Sequence, residues 1–156
     1  MPEEAKFKPL KEFGIIALTE SSEIKFYVDE FKGYPYASIR TFIKRDTYSG
    51  PTKSGITLNP GLVESVIATL EKLPAEPETT ADQELARFPK KAGLELVLRI
   101  TLYRDTTGID LREWVDDGTY KGWSKRGVRI GYADLPKAKK YLKEMLDFLK
   151  KKQTKA

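Results

Sequence analysis

The chain has 156 residues, 40% of them hydrophobic and 33% charged, with a formal net charge of +5, no cysteine and no histidine. Such a composition suits a globular protein, and the missing residue types exclude disulfides, thiolate chemistry, the usual zinc sites, imidazole acid–base catalysis and the common catalytic triads. The longest apolar run, Ile15–Leu18, is too short for a membrane span, and an amino terminus carrying Glu3, Glu4 and Lys6 does not read as a secretory signal. The positive balance favours an anionic partner, although lysine-rich helices give the same figure in proteins that bind none.

Met1–Lys11 is charged and broken by proline, and residues 1–12 read as an arm. Phe13–Thr19 reads as a short strand, which Ser21-Ser22 turn into Glu23–Phe31. This second strand alternates, with Ile24, Phe26 and Val28 on one side and Lys25, Tyr27, Asp29 and Phe31 on the other. Lys32-Gly33 lead into Tyr36–Arg45, where Ala37, Ile39 and Ile43 point inward and Ser38, Arg40 and Phe42 outward. A polar loop, Asp46–Pro51, precedes a strand through Gly55–Leu58. Asn59-Pro60 then open a helix, because Asn is a favoured N-cap and Pro suits the first helical position. Val63, Val66, Ile67, Leu70 and Leu73 form its apolar stripe, and Pro74 ends it.

Ala75–Phe88 is acidic, contains proline and lacks a strong period, which predicts a linker with a short helical turn around Asp82–Arg87. Strands follow at Leu94–Tyr103, with Arg99 among its outward residues, and at Ile109–Val115, with Asp110, Arg112 and Trp114 outward. A loop, Asp116–Trp123, leads to a strand near Lys125–Ile130. The last helix is capped by Asp134 and carries Leu135, Ala138, Leu142, Met145 and Leu149 at alternating three- and four-residue steps, the spacing of a helix packed along another helix. Its terminal lysines complement the helix dipole and need no ligand to explain them.

The two halves are one unit written twice. Arg40 and Arg112, Tyr48 and Tyr120, Gly50 and Gly122, Lys53 and Lys125, and Gly55 and Gly127 share one offset of 72 residues with no gap. Around them Ile39, Phe42, Ile43, Ile56 and Leu58 become Leu111, Trp114, Val115, Val128 and Ile130. Only about seven identities support the match, so it rests on spacing and character. The expected fold is α+β: two β-β-β-β-α repeats, each a curved antiparallel sheet followed by a helix, packed through the helices as an intramolecular pseudo-dimer. The expected division is 1–12 arm, 13–74 first repeat, 75–90 linker, 91–152 second repeat and 153–156 basic tail.

Phe31-Lys32-Gly33, Ser38-Ile39-Arg40-Thr41-Phe42 and Pro51-Thr52-Lys53-Ser54-Gly55-Ile56-Thr57-Leu58-Asn59-Pro60 resemble the carboxy-terminal domain of positive cofactor four, the single-stranded-DNA-binding transcriptional coactivator family. The second unit is similar through Asp110-Leu111-Arg112-Glu113-Trp114 and Lys125-Arg126-Gly127-Val128. The resemblance implies a sheet that presents ridges to unpaired nucleic acid. It carries the family's binding aromatic onto Phe31 and Tyr103, the following cation onto Lys32 and Arg104, and the mid-strand arginine onto Arg40 and Arg112. The basic pair before glycine falls on Lys53 with Ser54 and on Lys125 with Arg126. A further family aromatic is replaced by Ile43 and Val115, and a basic residue after the turn glycine by Tyr34 and Thr106. Tyr34, Tyr36, Tyr48, Tyr120 and Trp123 can compensate, since stacking needs only an accessible ring. The candidate nucleic-acid-binding set is Phe31, Lys32, Arg40, Lys53, Tyr103, Arg104, Arg112, Lys125 and Arg126 together with Lys25, Arg99, Trp114, Trp123 and Arg129.

Each candidate also has a purely structural reading. Arg40 and Arg112 can pair with carboxylates such as Asp110 or Glu113, Phe42 and Trp114 can pack at a strand edge, and Gly55 and Gly127 can serve a bulge. The reading favoured here is a non-catalytic protein that prefers single-stranded DNA with low sequence specificity and acts in transcription regulation or DNA maintenance. The alternatives are an RNA-binding regulator and an adaptor for an acidic partner in the transcription machinery. No catalytic residue, cofactor or metal site is expected, and Asp110, Glu113, Asp116 and Asp117 would be the only carboxylates to test for a metal-dependent nuclease. The expected state is a monomer, nucleoid-associated in the cytoplasm if the source is prokaryotic or viral and nuclear if it is eukaryotic.

Overall fold

The computed structural model describes residues 8–78 and 81–153. In chain order these form β1 (Lys11–Thr19), β2 (Ser22–Phe31), β3 (Tyr34–Lys44), β4 (Ser49–Leu58), α1 (Pro60–Glu71), β5 (Gln83–Lys91), β6 (Leu94–Tyr103), β7 (Thr106–Asp116), β8 (Lys121–Gly131), a 3-10 turn (Tyr132–Asp134) and α2 (Leu135–Gln153). The strands make two four-stranded antiparallel sheets, β1-β2-β3-β4 and β5-β6-β7-β8. The fold is therefore the expected pair of four-strand-and-helix repeats.

Local chemistry explains most of the elements. Both central hairpins turn on two residues of positive φ, Lys32 (51°) with Gly33 (83°) and Arg104 (47°) with Asp105 (63°), a turn whose twist matches that of the strands. Asn59 caps α1 by accepting a hydrogen bond from the Leu62 N–H at 2.8 Å. At α2 the chain enters through the 3-10 turn instead of through a side-chain cap on Asp134. No helix among the described residues is long and apolar enough to cross a membrane.

Three expected boundaries are corrected. Residues 11 and 12 belong to β1 rather than to the arm, and the Leu10 N–H already donates to the Val28 carbonyl at 2.9 Å; residues 1–7 and the tail from 154 lie outside the described residues. The expected helical turn at Asp82–Arg87 is strand, because β5 starts at Gln83 inside the stretch read as linker. Its pairs Ala86↔Leu98 and Phe88↔Leu96 are flanked by register shifts, and these shifts erase the period of two. Pro89 is tolerated because β5 is an edge strand. Finally, β4 and β8 begin earlier than expected, at Ser49 and Lys121, since pairing with β3 and β7 resumes beyond each bulge, in what the sequence suggests is loop.

Apolar residues of both sheets and both helices form one continuous core. Each helix reaches the other repeat's sheet: α2 packs across β1, β2 and β3, and α1 touches β5 as well as β3 and β4. Phe26 meets Tyr141 at 5.2 Å between ring centroids, and Phe13 meets Phe148 edge-on at 5.7 Å. Gly14 admits this approach, as a Cβ there would lie 2.3 Å from the Tyr141 ring. The repeats are further tied by the Tyr132 hydroxyl, which donates to the Pro74 carbonyl at 2.6 Å.

A buried ion pair completes the junction. Lys90 Nζ lies 2.7 Å from Glu113 Oε2, and it also donates to the Thr57 carbonyl of the first repeat at 2.8 Å. Removing one partner of such a pair strands the other charge away from water. Glu113→Ala is expected to lower unfolding stability by about 3 kcal/mol, with Lys90→Met combined with Glu113→Leu recovering much of that loss in urea titrations.

Candidate nucleic-acid interface

The residues that recur at the constant offset build one local device twice. On β3 Arg40 pairs with Gly55 and Phe42 with Pro51, so Thr52, Lys53 and Ser54 bulge out of β4; on β7 Arg112 pairs with Gly127 and Trp114 with Trp123, so Ser124, Lys125 and Arg126 bulge out of β8. Arg40 Nη1 donates to the Thr52 carbonyl at 2.8 Å, and Arg112 Nη1 to the Ser124 carbonyl at 3.3 Å. The Ser54 N–H donates to Thr52 Oγ1 at 3.0 Å, as the Arg126 N–H does to Ser124 Oγ at 2.8 Å. Tyr48 and Tyr120 donate their hydroxyls to the carbonyls of Pro51 and Trp123 at 2.7 and 2.9 Å. Gly55 and Gly127 leave room for the arginine stems: a Cβ would come within 2.7 Å of Arg40 Cγ at one and 2.8 Å of Arg112 Cζ at the other. The arginines thus hold the bulges in shape, and the exposed Lys53, Lys125 and Arg126 project from them.

Because β4 packs against β8, the two bulges come together across the repeat boundary. They border an open cleft of about 730 Å³ on the outer face of the first sheet, lined by Arg40, Lys53, Lys125, Arg126, Lys8, Tyr27 and Asp29 among others. Five cations therefore face one carboxylate. Four of them, Arg40, Lys53, Lys125 and Arg126, are among the candidates named from sequence. Lys8 was missed because it sits in the stretch read as an arm, and Tyr27 because its counterpart at the repeat offset is Arg99.

The remaining candidates are placed elsewhere. Phe31 and Tyr103 stand at the tips of the two central hairpins, 64% and 60% exposed, with Lys32 Nζ 5.4 Å and Arg104 Cζ 5.2 Å from the ring beside each. Tyr34, next to Phe31 across the turn, is 77% exposed. Lys25 is half-buried, 3.5 Å from Glu12 and 4.7 Å from the Phe42 ring centroid. Trp114 and Trp123 pack edge-to-face on one another at 4.8 Å, with Arg99 4.3 Å from the Trp123 ring. Arg129 ties three strands, donating to Thr101 Oγ1 at 2.9 Å and to the carbonyls of Thr101 and Thr106 at 3.1 Å. Arg99 and Arg112 both bond Asp110, whereas Arg40 has no carboxylate partner among the described residues.

The carboxylates considered for a nuclease do not converge. Asp110 holds arginines, Glu113 holds Lys90, and Asp117 closes the β7–β8 loop by accepting from the N–H groups of Tyr120 and Thr119 and from the Thr119 hydroxyl.

Sequence comparison adds a match over part of the chain. Residues 18–69 match the family of transcriptional coactivator p15 (PC4). The match runs from the end of β1 into α1, so it contains the first bulge with Arg40, Lys53 and Gly55. The second repeat lies outside it and has the same strand order, bulge and following helix as the first. The solved structure of the plant transcriptional regulator PBF-2 is similar over 96% of this chain and 90% of that chain, at 10% sequence identity and a TM-score of 0.42. Comparison with curated proteins gives no match.

Two expectations follow for the second bulge and the loop beside it. Gly127→Ala drives a Cβ to 2.8 Å from the Leu111 carbonyl oxygen, so it is expected to cost about 1–3 kcal/mol in thermal unfolding. The carboxyl of Asp117 is held below the usual carboxylate range, first by the Tyr120 N–H and then by Thr119. Since its folded-state value is depressed, the stability it lends the loop is present above the ordinary carboxylate pKa and is lost as pH falls through the lowered value. Protection of the Thr119 and Tyr120 amides, measured against their intrinsic exchange rates, should fall as pH drops below the ordinary carboxylate range, and Asp117→Asn should remove that step.

Proposed function

We propose that the chain is a non-catalytic nucleic-acid-binding protein that prefers single-stranded DNA, with low sequence specificity, and serves transcription regulation or DNA maintenance. The observation that carries this reading is the basic cleft, where bulges from both repeats, together with Arg40 and Lys8, set five cations around one carboxylate. Such a path meets phosphates, which position a strand without reading its bases. The exposed rings of Phe31, Tyr34 and Tyr103 meet base faces, which are accessible only where bases are unpaired. Both kinds of contact tolerate any sequence. The match of the first repeat to a transcriptional coactivator family agrees with the proposed process. The chain works as a monomer, since its own two helices cover each other's apolar stripes.

A labelled oligonucleotide titrated single-stranded and then annealed, at several salt concentrations and against a matched RNA competitor, tests the reading. Single strands are expected to bind more tightly than duplex, and equal affinity at every salt concentration would sink it. Replacing Lys53, Lys125 and Arg126 together by Ala should weaken binding and shallow the salt dependence by about 0.7 per lost phosphate contact. Arg112→Ala should leave that slope nearly unchanged, because its guanidinium is already engaged by Asp110 and the Ser124 carbonyl.

A further inference from the structure

The two sheets share strand order, bulge and turn geometry, yet their outer faces are chemically unequal, and one residue accounts for most of the difference. Asp110 on β7 is 4% exposed and stands where the first repeat has Ser38. Its Oδ2 accepts from Arg112 Nε at 3.2 Å and its Oδ1 from Arg112 Nη2 at 3.2 Å, the two-pronged arrangement by which arginine also grips a phosphate. Oδ2 further accepts from Arg99 Nη2 at 3.3 Å. One carboxylate is thus shared by two guanidiniums, and Arg99 Nε is left buried with no acceptor.

The rest of that face is closed in the same way. Arg99 lies over Trp123, Trp123 packs on Trp114, and Arg87 lies 5.8 Å from the Trp114 ring while bonding Glu84 at 2.8 Å and Glu95 at 3.1 Å. Beneath them Val97 has no exposed surface, although it lies on the side of the sheet away from the helices. Three arginines on the second face meet three carboxylates. On the first face the equivalent arginine, Arg40, meets none among the described residues and opens onto the cleft.

We infer that Asp110 is a built-in anion that occupies the phosphate position of the second face, so that strand binding resides on the first sheet and the inter-repeat cleft. The inference rests on the function proposed above and deepens it by assigning that function to one face of the pseudo-dimer. The arginine-rich repeat is then the weaker binder, since its arginines hold one another's carboxylates.

The two tryptophans of the chain, Trp114 and Trp123, both lie on the second face, with Trp123 bordering the second bulge, so a strand laid over that face quenches both while a strand in the cleft meets at most the edge of one. A fluorescein-labelled oligothymidylate of about ten nucleotides is titrated into the full chain, with label anisotropy reading total binding and tryptophan quenching reading the second face. The wild-type chain is expected to take one strand with little quenching. Asp110→Ser and Asp110→Asn should add a second strand whose binding quenches the tryptophans, and Ser38→Asp should weaken the first by about tenfold through like-charge repulsion. Far-UV circular dichroism identifies the folded variants, and any of the three that folds decides the matter. Two strands of equal affinity on the wild-type chain, or folded variants that bind as the wild type does, would overturn the inference while leaving the proposed function standing. No binding of the oligonucleotide by the wild-type chain would overturn both.

Discussion

Antiparallel pairing of α1 with α2 is the contact on which the rest of the molecule depends. Val63, Val66 and Leu70 on one helix and Ala138, Leu142, Met145 and Leu149 on the other have no exposed surface. Each buried aliphatic side chain of this size contributes about 1.5–3 kcal/mol, and a single sheet with a single helix has no second surface on which to gain it. Glu64 with Lys150 at 3.1 Å and Glu71 with Lys143 at 2.5 Å mark the register from outside. These pairs are half exposed and screened, so they align the helices more than they hold them. Because the helices also cross onto each other's sheets, the repeats share one core, and the edges β4 and β8 are brought side by side as a consequence.

That placement turns a local feature into a site. Alone, each bulge is a loop of three polar residues held by an arginine, a tyrosine and a glycine. The arginine fork suits this task, since it can satisfy a carbonyl released by the bulge and still offer donors on its other edge. With the bulges adjacent, lysines from both repeats line one cleft although they are far apart in the chain. Lys90 acts at the same boundary, where its ammonium satisfies an edge carbonyl of β4 and is itself balanced by Glu113.

The backbone repeats more faithfully than its chemistry. Bulge bonds, turn dihedrals and the cation beside each hairpin ring all recur at the same offset. The outer face of each sheet is freer to differ, because Ser38 and Asp110 hold equivalent strand positions on the side away from the shared core. What changes between them is the charge that nearby arginines see, and a shift from Ser to Asp reorganises a face without moving a strand.

Much of this was written locally and was legible in the sequence. The period of two in Ile24–Val28 and Leu96–Ile100, the Asn59-Pro60 helix start, the heptad-like stripe of α2 and the recurring Arg, Tyr, Gly and Lys positions each depend on neighbours a few residues away, and together they determined two sheet-and-helix repeats joined through their helices. Tertiary structure decided the rest. Gln83–Lys91 is a strand because an edge position needs few apolar residues and tolerates Pro89, so no periodic signal announces it. Arg40 and Arg112 look alike as letters, yet one opens onto a cleft and the other grips Asp110 together with Arg99, which the β6–β7 register sets directly across from it. Whether a cation is available to a ligand depends on what lies across the next strand, and that distance is fixed by strand register and sheet packing rather than by position along the chain.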